Sequence, residues 1–171
     1  QAGDDGEKAL GDWLVSLGFV RAGAHRAKAV TLYRRGGVNL VLNAQPDSFA
    51  RSYYLVHGAS ICAVGLRTSD PQLAMGRATA FHAQRFNARA GPNELDIPAI
   101  RALDGSLIYF VDENLESGGL YEIEFEIENA PPEPILGDPD AVDHIAMALP
   151  PGLLDSWALF YRAVLGFEGR E

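Results

Sequence analysis

VDHIAMALPPGLLDSWALFYRAVLGF, residues Val142–Phe167, reads as a short apolar strand, a tight turn and an amphipathic helix. Trp157, Phe160, Tyr161, Val164 and Leu165 recur at i, i+3, i+4, i+7 and i+8, the spacing of one face of a 3.6-residue period. Pro150-Pro151-Gly152 separates the two elements. Asp155 or Ser156 is placed to accept the first free amide hydrogens, and Gly166 to close the last turn in the left-handed conformation. His144 is the one imidazole on the apolar strand. Taken alone, such a residue reads as a hydrogen-bonded core histidine before it reads as a ligand.

The same grammar recurs upstream. Leu10, Trp13, Leu14 and Leu17 form an apolar stripe, and Leu17-Gly18-Phe19 repeats the ending Leu165-Gly166-Phe167. A looser third copy starts with the strand SICAVGLRT and continues into a helix opened by Asp70-Pro71, expected to bury Leu73, Ala74, Ala78 and Phe81. Repetition of strand and capped helix points to duplicated modules. Trp13 and Trp157 occupy equivalent helix positions, so both are expected to pack on a sheet.

Between these copies the strands are read from alternation and turn residues. Val20–Arg34 and Val38–Asn43 are joined by Arg35-Gly36-Gly37, and Gln45–Tyr54 reads as a polar loop. Ile61–Thr68 is a strand and Asp70–His82 a helix. Ile97–Arg101 and Ser106–Asp112 pair across a turn ending in Asp104-Gly105. YEIEFEIE, residues Tyr121–Glu128, alternates apolar and glutamate side chains and is expected to be a strand throughout. Its four carboxylates read first as a solvated face that deters edge-to-edge pairing, and second as a metal or basic-partner surface. Residues 129–140, with Pro131, Pro132, Pro134 and Pro139, form a stiff linker and the best domain boundary. The expected organisation is a two-module domain over residues 1–128 that lacks its first strand, the linker, and the first strand and helix of a second, truncated domain over residues 141–171.

Composition narrows the function classes. The 171 residues carry a formal charge of -9, which opposes binding to nucleic acid or an anionic membrane surface. No apolar run reaches the roughly 18–20 residues that span a bilayer, and no signal peptide is evident, so a cytoplasmic location is expected. The single cysteine, Cys62, excludes an intrachain disulfide and reads as a small buried side chain. No nucleophile motif, phosphate loop or dinucleotide fingerprint appears, and the adjacent Asp112-Glu113 face opposite ways at a strand end. His25, Arg26 and Lys28, with Arg21, Arg34 and Arg35, make a basic island that could meet water, an acidic interdomain surface or a carboxylate substrate. His57 is read as fixing a turn, and His82 as ending a helix at the negative pole of its dipole.

Three segments, HGASICAVGLRTSDPQLAMGRA, IPAIRALDGSLIYFVD and VDHIAMALPPGLLDSWALFYRAVLGF, resemble the vicinal oxygen chelate superfamily and, within it, the 4-hydroxyphenylpyruvate dioxygenase family. The segment HRAKAVTLYRRGGVNLVLNAQPDSFA is more similar to the dioxygenase-like half of bacterial two-part 3-dehydroshikimate dehydratases. The resemblance implies an α+β fold of paired βαβββ modules. It also implies a metal held by a histidine on a module's first strand and a glutamate on a last strand. In the middle module Ala63 and Tyr109 stand at those two positions, which implies a non-catalytic, structural or interface half; only His144 matches a ligand position. A divalent metal, iron(II) or another, is accordingly expected only in the complete protein and not in this chain. The parent is then an enzyme whose lyase site, making protocatechuate from 3-dehydroshikimate, lies in a separate barrel. The rival readings are part of an iron(II)-dependent dioxygenase and a stand-alone binding module of the glyoxalase or bleomycin-resistance kind. Expected partners are other domains of the same polypeptide, a small aromatic or 2-oxo acid ligand, and a second copy of the chain paired through the sheet edge left by the missing strand.

Overall fold

The computed structural model describes residues 4–87, 91, 94–117, 119–129 and 141–170. It divides into two compact units, one of residues 1–60 and 121–145, the other of residues 61–120 and 146–171. The linker read over residues 129–140 lies outside the described residues except at Asn129.

The first unit begins with α1 (Asp4–Ser16), followed by β1 (Val20–His25), β2 (Val30–Arg35) and β3 (Val38–Asn43). The stretch read as a strand from Val20 to Arg34 is therefore two strands. α1 ends as its sequence predicts: Gly18 takes φ +87° and the Phe19 amide donates to the Leu14 carbonyl at 3.1 Å. Its apolar stripe is buried only in part. Leu14 packs with Tyr33 and Leu42, whereas Trp13 is 57% exposed and Leu17 is exposed too. Trp13 and Trp157 are thus not equivalent in packing.

Gln45–Tyr54 is not a loop throughout, because α2 (Phe49–His57) begins inside it. Ser48 is the N-cap, its hydroxyl oxygen accepting from the Arg51 amide at 3.1 Å. Phe49, Tyr53 and His57 follow one another at i, i+4 and i+8, and the Tyr53 and His57 rings stack 4.1 Å apart. His57 accordingly closes a helix, and Gly58 at φ +71° carries the chain away from it.

The strand expected over Tyr121–Glu128 is half helix. α5 (Leu120–Glu124) passes directly into β8 (Phe125–Ile127), which pairs antiparallel with β1 in a sheet ordered β3-β2-β1-β8. An extra residue at Ala22 shifts the β1–β2 register, and the Ala22 carbonyl accepts from both Glu128 and Asn129 amides at 2.8 and 3.1 Å. Gly23 sits where a β-carbon would strike the Glu126 carbonyl, so β8 seats closely only because no side chain is there. Ala22, Val30, Leu32 and Phe125 form the core beneath.

The second unit is a complete βαβββ module. β4 (Ala63–Thr68) leads into α3 (Pro71–Ala80), then β5 (Arg85–Phe86), β6 (Ala99–Arg101) and β7 (Leu107–Asp112). The sheet order is β4-β7-β6-β5, with β4 parallel to β7 and the other pairs antiparallel. Asp70 caps α3, its carboxylate accepting from the Leu73 amide at 2.8 Å, and Pro71 follows in the first turn. The buried face is Met75 and Ala78, flanked by Ala74. Leu73, 71% exposed, and Phe81 lie on the other side, contrary to the sequence reading. His82 just beyond the helix has φ +61°, a conformation more often taken by glycine. α4 (Glu113–Ser117) follows β7.

Val142–Leu149 forms no strand. No described strand pairs with it, so its backbone gains no ladder bonds, and most of its side chains, Val142, Ile145 and Met147 among them, are exposed. The helix beyond it does form, as α6 (Leu154–Phe160) continuing into a π turn at Tyr161–Leu165. Trp157, 5% exposed, Phe160 and Val164 join the core of Met75, Ala78, Ile100, Ile108 and Phe110.

Candidate functional site

His144 is 79% exposed, and its Nδ1 lies 2.8 Å from the Asp143 carboxylate. Among the described residues, no group of three or more His, Cys, Asp and Glu side chains is placed to hold a metal ion. Ala63 and Tyr109 lie on neighbouring parallel strands, where Gly65 opposes Tyr109 and Ala63 opposes Leu107. Neither brings a ligand carboxylate to the sheet. Burial pushes the Tyr109 phenol above its ordinary range, and the Cys62 thiol is raised for the same reason. A raised phenol favours the protonated form on folding. The resulting stabilisation is complete below the unfolded tyrosine pKa and is lost as pH rises through the higher folded one. Tyr109→Phe is therefore expected to shift the alkaline limb of a pH-stability curve to higher pH and to leave the neutral region unchanged, as read by circular dichroism.

The most organised polar constellation joins two features that the sequence kept apart, the basic island and the glutamate run. Arg21 pairs with Glu128, His25 with Glu124, Arg26 with Glu126 and Arg34 with Glu122. Glu122, Glu126 and Glu128 thus keep the solvated face read from the sequence while each faces a cation of the island, and Glu124 alone is enclosed. His25 and Glu124 are the enclosed pair, with side chains only 9% and 13% exposed and Nε2 3.0 Å from the carboxylate. Nδ1 of the same ring accepts the Ala27 and Lys28 amides at 3.0 and 3.2 Å, which leaves the proton on Nε2 to be donated to Glu124. The ring also meets Phe125 edge-on at 5.4 Å.

Arg26 secures the helix-to-strand junction. Its backbone amide donates to the Glu124 carbonyl at 3.0 Å, and its guanidinium to those of Ile123 and Glu122 at 3.1 and 3.3 Å. It thereby satisfies carbonyls that a helix end leaves without partners. Arg34 lies over the Tyr121 ring at 5.0 Å and donates to Asn39 at 3.0 Å. Sequence reading missed this assembly because the island and the carboxylates are about a hundred positions apart. The available signal was the match of three arginines and a histidine in one run to four glutamates in another. Removing the enclosed charge by Glu124→Gln is expected to cost about 1.5–3 kcal/mol, the range for hydrogen bonds to charged groups. Glu128→Gln at the exposed pair is expected to cost under about 1 kcal/mol. Urea denaturation of the two variants side by side measures the difference.

A complete βαβββ module with no glutamate on its last strand, beside a second unit built on a four-stranded sheet, defines a glyoxalase/dioxygenase-type fold with no metal-binding cluster among the described residues. Residues 1–126 match the family described as hydroxyphenylpyruvate dioxygenase, HPPD, N-terminal, and the chain belongs to that family. It is 47% identical over 162 residues to a 3-dehydroshikimate dehydratase of Pseudomonas putida, covering 95% of this chain and 25% of the relative. It is 35% identical over 153 residues to a 4-hydroxyphenylpyruvate dioxygenase of a Pseudomonas species, covering 89% of this chain and 43% of that one. Among solved structures, a xylose isomerase-like TIM barrel/4-hydroxyphenylpyruvate dioxygenase fusion protein superposes with a TM-score of 0.82 at 43% identity, over 97% of this chain and 26% of that chain. The chain thus spans about a quarter of the length of the dehydratase and the fusion protein, and corresponds to the dioxygenase-like region of such two-part proteins. Among the described residues, no helix is long and apolar enough to cross a membrane.

Proposed function

We propose that this chain is the dioxygenase-like region of a bacterial two-part 3-dehydroshikimate dehydratase, serving as a structural and interface domain. The dehydration of 3-dehydroshikimate to protocatechuate takes place in a separate barrel of the same polypeptide. The observation that carries this reading is the 47% identity to the dehydratase along 95% of the chain, beside a barrel fusion of the same fold. Residues 129–140 link this region to a second dioxygenase-like half opened by residues 141–171. In that half His144 is the first ligand of a divalent metal, iron(II) by resemblance. With Nδ1 engaged by Asp143, Nε2 is the nitrogen it presents. The 4-hydroxyphenylpyruvate dioxygenase relative favours a small aromatic or 2-oxo acid ligand for the completed half. The protein works in the cytoplasm.

The test uses the polypeptide that carries barrel and dioxygenase-like halves together. Protocatechuate formation should remain within about twofold of the parent in His144→Ala, as for a substitution remote from the reacting site, while metal bound by the dioxygenase-like half falls away. Loss of dehydration in that variant would put the lyase site in this half and overturn the reading. Unchanged metal content would remove His144 from the ligand set. β3 is an edge strand of its sheet and exposes Val41, so pairing with a second copy is the self-association this surface favours; sedimentation of Val41→Lys against the parent tests it.

A further inference from the structure

The helix formed by α6 and its π turn lies beyond the family match at residues 1–126, yet it packs inside the core of the second unit. Its end is held by α3. The Arg77 guanidinium donates from Nε to the Ala163 carbonyl at 2.9 Å and from Nη2 to the Arg162 carbonyl at 3.1 Å. Gly166 takes φ +76°, and a β-carbon there would lie 3.3 Å from the Arg77 guanidinium carbon. The end of α1 is built alike, with one carbonyl bonded in place of two. Arg35 donates to the Leu17 carbonyl at 2.6 Å, and a β-carbon on Gly18 would lie 3.3 Å from the Arg35 guanidinium carbon. The two Leu-Gly-Phe endings are therefore more than repeated caps. Each presents a closing carbonyl to an arginine, Arg77 forking across two of them and Arg35 reaching one, and each glycine leaves the guanidinium room.

From this we infer that α3 and the sheet beneath it form the docking surface for the next part of the same polypeptide, with Arg77 as the residue that locks the incoming helix in register. The inference rests on the reading that residues 141–171 open a second dioxygenase-like half. Trp157, Phe160 and Val164 supply the apolar anchor against Met75, Ala78, Ile100 and Phe110. An apolar stripe alone lets a helix slide by a turn along such a surface. The fork does not, because it bonds two successive carbonyls at a helix end, where no bond from a further turn competes for them. Arg162, Glu168 and Gly166 border an open hollow beside Arg77, so the fork stays accessible at the rim while the aromatic residues are buried. The βαβββ module thereby acquires a role in the whole protein, as the seat that fixes how the following half begins.

The experiment uses the 171-residue chain with Trp13→Phe, so that buried Trp157 is the only indole, and compares Arg77→Ala, Arg77→Lys and Gly166→Ala with that background. Hydrogen exchange of the 161–167 amides is expected to accelerate by about tenfold or more in Arg77→Ala, the loss of two charge-assisted bonds. Acrylamide quenching of Trp157 should rise with it, while β6 and β7 keep their protection. Arg77→Lys should restore only part of the protection, because an ammonium lacks the fork, and Gly166→Ala should reproduce Arg77→Ala. Unchanged exchange at 161–167 in Arg77→Ala overturns the lock. Exchange accelerated equally through β4, β6 and β7 overturns it too, since Arg77 would then be a general stability residue of the module. Neither result bears on where the dehydration occurs, which the barrel assay decides separately.

Discussion

Phe125→Ala is expected to lower the stability of the first unit by about 3–5 kcal/mol, the range for removing a buried aromatic side chain. Phe125 is 5% exposed, starts β8, and fills the space beside Ala22, Val30 and Leu32. It also supplies the ring against which His25 stands, so its loss loosens the enclosed His25–Glu124 pair as well as the core. Ile123→Ala, two positions earlier, is expected to change stability by less than about 0.5 kcal/mol, because its side chain is exposed and touches no core cluster. A uniform strand would put the two on one face with comparable effects. Urea unfolding of both variants, with slopes compared, separates the helix-to-strand junction from that alternative.

Trp157→Ala should be similarly costly for the second unit, about 3–5 kcal/mol, and Trp13→Ala nearly silent. Trp157 meets Phe160 at 6.4 Å and Tyr161 at 5.9 Å and lies in the same cluster as Met75 and Ile108. Trp13 has no such surroundings. Thermal unfolding of the two single variants gives the comparison, and comparable losses would mean that Trp13 is covered in solution by something these contacts do not include.

These two pairs also show where sequence periodicity stops being informative. The glutamates of YEIEFEIE alternate perfectly, and alternation over a short run is the strongest local sign of a strand. Yet Arg26 holds the carbonyls of Glu122, Ile123 and Glu124 at a helix end, and it stands just past the end of β1, about a hundred residues away. No local pattern contains that bond. The helical stripes were legible as helices, and the caps at Asp70, Gly18 and Gly166 were legible to the residue, because a cap is a short-range event; the N-cap read at Asp155 or Ser156 is not made, since α6 already starts at Leu154 and Leu153 before it makes no side-chain cap bond. The buried face was not, since it depends on which sheet the helix meets: α3 turns Met75 and Ala78 inward and leaves Leu73 in solvent. α2 was hidden by its polar surroundings, although Ser48 and the aromatic residues at 49, 53 and 57 carried the signal.

Of the site, resemblance implied that Ala63 and Tyr109 stand at ligand positions, and residue identity alone decides that neither offers an imidazole or a carboxylate. The pairing of the basic island with the glutamates needed the fold. So did the state of the VDHIAMAL segment, since a strand exists only when another strand accepts its hydrogen bonds.

The split make-up of the first unit bears on how the protein is born. Arg21 and Glu128 are 107 residues apart, and between them lies the whole sheet of the second unit, contiguous from Ala63 to Asp112. During synthesis the earlier-encoded unit waits with one edge of β1 unpaired, while its younger neighbour has every strand it needs and lacks only the helix α6. Closing that long loop is slow compared with forming a hairpin. A ribosome paused before Leu120 therefore exposes an open sheet edge for as long as the pause lasts.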